Sequence, residues 1–228
     1  MINRLHVMTF MAVLVLGALA QAQTFNVLYN FTGGTDGGYP SDAVVQDTAG
    51  NLYGTTGVGG DLNCTFGGCG VVFEVDTSGT ETVLHSFTGG TTDGEAPNAP
   101  VLRDNKGNLY GTTVSGGGTG CDGYGCGVVF KIDHAGKETI LYSFAGGTTD
   151  GCGPEQGLVM DKSGNLYGTT FECGASGSGC GGYACGTVFK LTPEGTETIL
   201  HSFAGGRRMA LGRSWDACSL ARRATFMA

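Results

Sequence analysis

From Thr24 onward, short apolar runs alternate with clusters of Gly, Asp and Asn. The pattern is clearest in the middle of the chain. Residues 99–104 form one apolar run, closed by Asn105, Lys106 and Gly107; residues 109–113, 127–133 and 139–144 are the next three. Runs of this length bounded by turn residues predict β-strands. The tetrads Asp104-Asn105-Lys106-Gly107 and Asp133-His134-Ala135-Gly136 each predict a type I turn closed by a left-handed glycine. Turns this tight admit no crossover helix, so the four strands are expected to pair antiparallel as a meander.

The meander recurs. Asn-Leu-Tyr-Gly-Thr-Thr begins at Asn51, Asn108 and Asn165, two steps of 57 residues. The same step carries Pro40 to Pro97 to Pro154, Asp47 to Asp104 to Asp161, Gly50 to Gly107 to Gly164, and Phe73 to Phe130. Phe130 to Phe189 is 59, because the loop over 170–180 holds two extra residues, an indel that a surface connection tolerates. Four strands every 57 residues predict an all-β chain of β-propeller-like blades in a partial or open propeller. The alternative is a β-solenoid, whose repeats are shorter and whose coils are parallel. The 44 glycines would suggest disorder in an aperiodic chain, but with a period they suit many tight turns.

At the chain ends the pattern changes. Arg4, the apolar run over 7–20 and the Ala20-Gln21-Ala22 site predict a signal peptide over 1–22. Residues 23–206 then hold three full blades and the start of a fourth, Glu-Thr-Ile-Leu-His-Ser-Phe at Glu197. The residues over 207–228 are basic, carry the single Trp and lack the repeat's punctuation, which points to a frameshifted, truncated or disordered tail. A propeller closes with ~4 to 8 blades, so a shorter array leaves open strand edges and invites self-association.

The phrases NLYGTT, CGVVFEVD, GTETVLHSF and Thr-Asp-Gly-x-x-x-Pro, recurring between Phe25 and Gly206, resemble the GloVer (Gloeo_Verruco) tandem-repeat family of bacterial exported proteins. The resemblance implies a repeat array, often fixed to the cell surface by varied C-terminal anchors. It implies no agreed activity and supplies no catalytic residues.

Net charge is −8, but residues 24–206 hold six Lys and Arg against nineteen Asp and Glu. That acidity argues against a nucleic-acid partner. Nine cysteines sharpen the picture. Cys64 and Cys69, Cys121 and Cys126, and Cys180 and Cys185 occupy the same loop of successive repeats, which in an exported chain reads as three local disulfides. Zinc is the weaker reading, because no His lies near these pairs. Cys152 and Cys173 have no counterparts in the other repeats. In an up-down meander the connection entering a blade and the connection between its second and third strands lie at the same end, so a fourth bond, Cys152–Cys173, is expected. Cys218 is left free.

The same parity gathers the long glycine-rich loops on one face, where a binding site is expected. Asp36, Asp93 and Asp150 lie there, each in Thr-Asp-Gly, with Glu95, Glu155 and Glu172. The three aspartates are weak calcium candidates, since repeated carboxylates offer oxygen ligands but the D-x-D-x-D spacing is missing. No other cofactor is called for. Tyr39, Tyr124 and Tyr183 in the loops, and Tyr53, Tyr110 and Tyr167 in the strands, could offer rings to a sugar, although strand tyrosines ordinarily pack. His85 and His201 stand where the second repeat has Tyr142, a structural aromatic position, and His134 sits in a turn. No Ser/His/Asp pattern supports a hydrolase triad.

These features predict an exported module for binding, adhesion or scaffolding at the cell surface, meeting an extracellular glycan or protein, with no membrane span after signal cleavage. One alternative is a propeller-type carbohydrate-active enzyme, hydrolase or lyase, using Glu155 and Glu172. The other is a nonfunctional fragment of a longer array.

Overall fold

The computed structural model describes residues 24–40, 42–64, 67–175 and 184–204. The expected signal peptide, the 207–228 tail with Cys218, and Cys180 and Tyr183 lie outside them. Short strands run in chain order: β1 (Val45–Gln46), β2 (Leu52–Thr56), β3 (Val71–Val75) and β4 (Glu81–Ser86); then β5 (Gly94–Glu95), β6 (Leu102–Arg103), β7 (Leu109–Thr113), β8 (Ser115–Gly116), β9 (Val128–Ile132) and β10 (Glu138–Ser143); and finally β11 (Gly151–Cys152), β12 (Val159–Met160), β13 (Leu166–Thr169), β14 (Glu172–Cys173), β15 (Thr187–Leu191) and β16 (Glu197–Ser202). They form three four-stranded sheets, β1-β2-β3-β4, β6-β7-β9-β10 and β12-β13-β15-β16, with every neighbouring pair antiparallel. These are the expected blades, and the parallel solenoid is excluded; Glu197–Ser202, expected to open a fourth blade, instead closes the third sheet beside β15.

The hairpins follow from their Asp and Gly. In the second blade Asp104 Oδ1 accepts from the backbone N–H of Lys106 and Asn108, both at 2.9 Å, while Gly107 takes a φ of 85° that a side chain would resist. Asp104 Oδ2 also receives the Asn108 amide at 2.7 Å and the Tyr110 hydroxyl at 3.3 Å. Asp47 and Asp161 do the same with Asn51 and Tyr53, and with Asn165 and Tyr167.

NLYGTT thus acquires a role at each position. Asn and Tyr lock the turn, and Leu109 and Leu166 enter the core. Gly54, Gly111 and Gly168 sit opposite Phe73, Phe130 and Phe189, whose rings lie where a Cβ would be. The first Thr ties blades together: Thr55 Oγ1 donates to the Ala99 carbonyl of the next blade at 2.9 Å. The second Thr accepts the N–H that opens the third strand, as Val128 N to Thr113 Oγ1 at 3.2 Å.

One aromatic contact repeats where each blade meets the chain segment that leads into it. Phe31 meets Phe73, Phe87 meets Phe130 and Phe144 meets Phe189 edge-on, at 4.8, 5.1 and 5.1 Å. Phe87, Phe130 and Phe189 are fully buried, so the apolar core runs through the junctions and fastens one blade to the next.

Two features depart from the expected layout. The first strand of the second blade shrinks from 99–104 to Leu102–Arg103. Pro100 has no N–H for a ladder, and the Ala99 carbonyl is already taken by Thr55. In return, the long loops pair with each other: β5 with β8, β11 with β14, and Gly38 with Val58. These ribbons place the blade-entering connection beside the connection between second and third strands, as the meander parity requires.

Candidate functional site

Disulfides fix the long-loop end. Cys64–Cys69, Cys121–Cys126 and Cys152–Cys173 are bonded, with Cα atoms 5.2, 5.3 and 5.3 Å apart. The last joins β11 to β14, and its Cys173 lies near the Cys121–Cys126 bridge over Gly146. The Cys180–Cys185 pairing falls outside the described residues.

Asp36, Asp93 and Asp150 do not converge; each organises its own loop. Asp93 Oδ2 accepts from Thr88 N at 2.8 Å and Thr88 Oγ1 at 3.0 Å, and Oδ1 accepts from Gly94 N at 2.7 Å. Asp150 accepts from Ala145 N, Gly151 N and the Tyr142 hydroxyl. Asp36 accepts from Thr32 N, Thr32 Oγ1 and the Tyr29 hydroxyl. Burial pushes Asp93 upward, yet His85 and the N–H groups of Thr88 and Gly94 outweigh it and hold the carboxyl below its ordinary range.

At each junction a glutamate from the next blade faces this loop. Glu81 is near Tyr29 and Asp36, Glu138 near His85 and Asp93, and Glu197 near Tyr142 and Asp150. Burial, reinforced by the aspartate's charge, raises all three, Glu197 to about 7. The Oε1 atoms of Glu81, Glu138 and Glu197 are sealed from solvent and take no hydrogen bond. Sequence reasoning missed these residues. Their recurrence at the head of Glu-Thr-x-Leu-x-Ser was the available signal, but a strand-head glutamate reads as solvated.

Two of the candidate loop residues, Glu95 and Tyr124, share a cleft. A cleft of ≈ 220 Å³ between the first and second blades is lined by Asn63, Cys64, Thr88, Gly90, Glu95, Gly123 and Tyr124. Tyr124 is 61% exposed, and burial raises the Glu95 carboxyl. Tyr53, Tyr110 and Tyr167 are already occupied, with Arg103, Lys131 and Lys190 standing 5.3, 5.9 and 6.0 Å over their rings. Glu155 and Glu172 are surface residues of the third blade's loops. Enough protein surrounds the Glu155 carboxyl, with the Glu172 charge adding to it, to raise its pKa.

The repeat that builds these junctions has a known profile: the Gloeobacter/Verrucomicrobia repeat matches residues 15–181. The chain belongs to that family. No curated protein matches it. Among solved structures, this Gloeobacter/Verrucomicrobia repeat chain is similar to a luciferin-regenerating enzyme at 16% identity, over 72% of this chain and 46% of that one, with a TM-score of 0.43. It is similar to a putative gluconolactonase at 16% identity, over 71% and 49%, with a TM-score of 0.38. A gluconolactonase from Xanthomonas campestris aligns at 16% identity over 58% and 40%, with a TM-score of 0.37. The matched part spans less than half of each of these proteins, and at such scores the likenesses bear on neither substrate nor activity.

Proposed function

We propose that this chain is an exported binding module of the cell surface, and that its ligand is a glycan held in the cleft between the first two blades. The observation that carries the reading is the cleft itself. It sets an exposed aromatic ring, Tyr124, beside an amide, Asn63, and a carboxyl, Glu95, on loops clipped by Cys64–Cys69 and Cys121–Cys126. A flat ring offers a sugar an apolar face, while Asn and Glu offer paired donors and acceptors to hydroxyls. Three disulfides support a location outside the cytoplasm. Among the described residues no helix is long and apolar enough to cross a membrane.

A glycan-array screen with the oxidised protein tests the proposal. Binding to at least one soluble polysaccharide, lost in Tyr124→Ala and weakened in Glu95→Gln, is the expected result. Binding indifferent to both substitutions, or no binding at all, contradicts it. A second reading, a carbohydrate-active enzyme, draws on the electrostatic coupling of Glu155 to Glu172. Release of reducing ends that Glu155→Gln abolishes would favour it instead.

A further inference from the structure

We propose that His85, Asp93 and Glu138 form a site for a divalent cation of the zinc class, clamped between the first and second blades. His85 lies on β4, Asp93 in the loop that follows, and Glu138 at the head of β10 in the next blade. One nitrogen and two carboxylate oxygens, all within 4.8 Å of one another, meet where the blades touch.

The separation of His85 from Asp93 suits a shared ion as well as a direct ion pair. His85 Nε2 stands 3.5 Å from Asp93 Oδ2, and it makes no hydrogen bond. Two ligands on a tetrahedral ion with bonds of about 2.1 Å are about 3.4 Å apart. Nε2 of His85 and Oε1 of Glu138 are both sealed from solvent without a hydrogen-bond partner. A single cation would satisfy both; the orphaned glutamate oxygen recurs at Glu81 and Glu197, so the unpartnered nitrogen is what sets this junction apart. Asp93 is only 9% exposed, and its carboxylate is held in place by Thr88 and Gly94, the kind of support that orients a metal ligand. Imidazole with two carboxylates is a donor set that zinc accepts, with a fourth position for water.

The repeat supplies its own control. At the two equivalent junctions tyrosine replaces His85, and Tyr29 and Tyr142 each donate directly to their aspartate at 3.0 Å. There the aspartate's partner is already a hydroxyl, and the nitrogen ligand is missing. Only the His85 junction, among the described residues, combines a histidine with the two carboxyls. The site differs from the calcium expectation in requiring nitrogen, and it uses one of the three aspartates rather than all of them.

The test titrates the oxidised full-length chain with Co²⁺, read by its visible absorption, and with Zn²⁺, read by calorimetry and thermal unfolding. One equivalent of each should bind at micromolar concentration, with a rise in Tm. His85→Tyr, which installs the residue that the neighbouring junctions carry, should abolish both the absorption and the rise in Tm. Glu138→Gln should weaken binding by about tenfold or more, and it serves as the second variant if His85→Tyr fails to fold. Stoichiometric binding that survives His85→Tyr, or an affinity unchanged in Glu138→Gln, in a folded protein, or no binding to the wild type, overturns the proposal.

Discussion

Gly54 pairs with Phe73 across β2 and β3, and a Cβ built on Gly54 would stand 2.6 Å from Cζ of the Phe73 ring. The ring occupies the space a side chain would need, and Phe31 packs edge-on against its other side at 4.8 Å. Gly54→Ala therefore forces either the ring or the strand to move, and should cost about 1–3 kcal/mol. Gly118→Ala, where the nearest atom is 4.0 Å away, should stay within about 0.5 kcal/mol of wild type. Urea unfolding of the two variants checks the contrast, and equal stabilities would contradict it.

Cys152–Cys173 closes a sequence separation of 21 residues and ties β11 to β14. Replacing both cysteines by Ala should cost about 2–4 kcal/mol, largely through the freed unfolded chain. Thermal unfolding of the double variant measures this. A cost below about 0.5 kcal/mol would mean that the ribbon and the core hold these loops without the bond.

Stability should peak on the acid side of neutrality. Asp161 is held at about 2, against an ordinary 3.8, chiefly by the Asn165 amide. Its contribution is present above 3.8 and is lost as pH falls through 2. Glu197 moves the other way, raised by burial from 4.5 to about 7. As a neutral acid it stabilises the fold below 4.5, and that contribution drains away as pH rises toward 7. Unfolding midpoints between pH 3 and 8 should therefore be greatest near pH 4 to 5. Glu197→Gln should flatten the decline on the alkaline side. A midpoint that climbs steadily from pH 5 to 7.5 would contradict the assignment.

Much of the fold was legible because the repeat states it three times. The period of NLYGTT located the blades, the Asp and Gly of each turn set the hairpins, and strand parity, with the absence of counterparts in the other repeats, placed Cys152 beside Cys173. The junction glutamates were not legible. Glu138 reaches Asp93 only because one blade leans on the next, a geometry that no local pattern encodes. The ribbons of Gly94–Glu95 and Ser115–Gly116 were also hidden, since glycine-rich segments carry no alternation to read. Of the candidate site, Glu95 and Tyr124 could be named as loop residues. That they share one cleft with Asn63 is a matter of inter-blade packing, not of spacing.

The most direct measurement is NMR mapping of a soluble glycan onto the isotopically labelled, oxidised protein. Shift changes should concentrate at Asn63, Thr88, Glu95, Gly123 and Tyr124. Changes confined to the tight-turn end, around Asp47, Lys106 and Ser163, or no changes at saturating glycan, would contradict the assignment of the inter-blade cleft as the binding site.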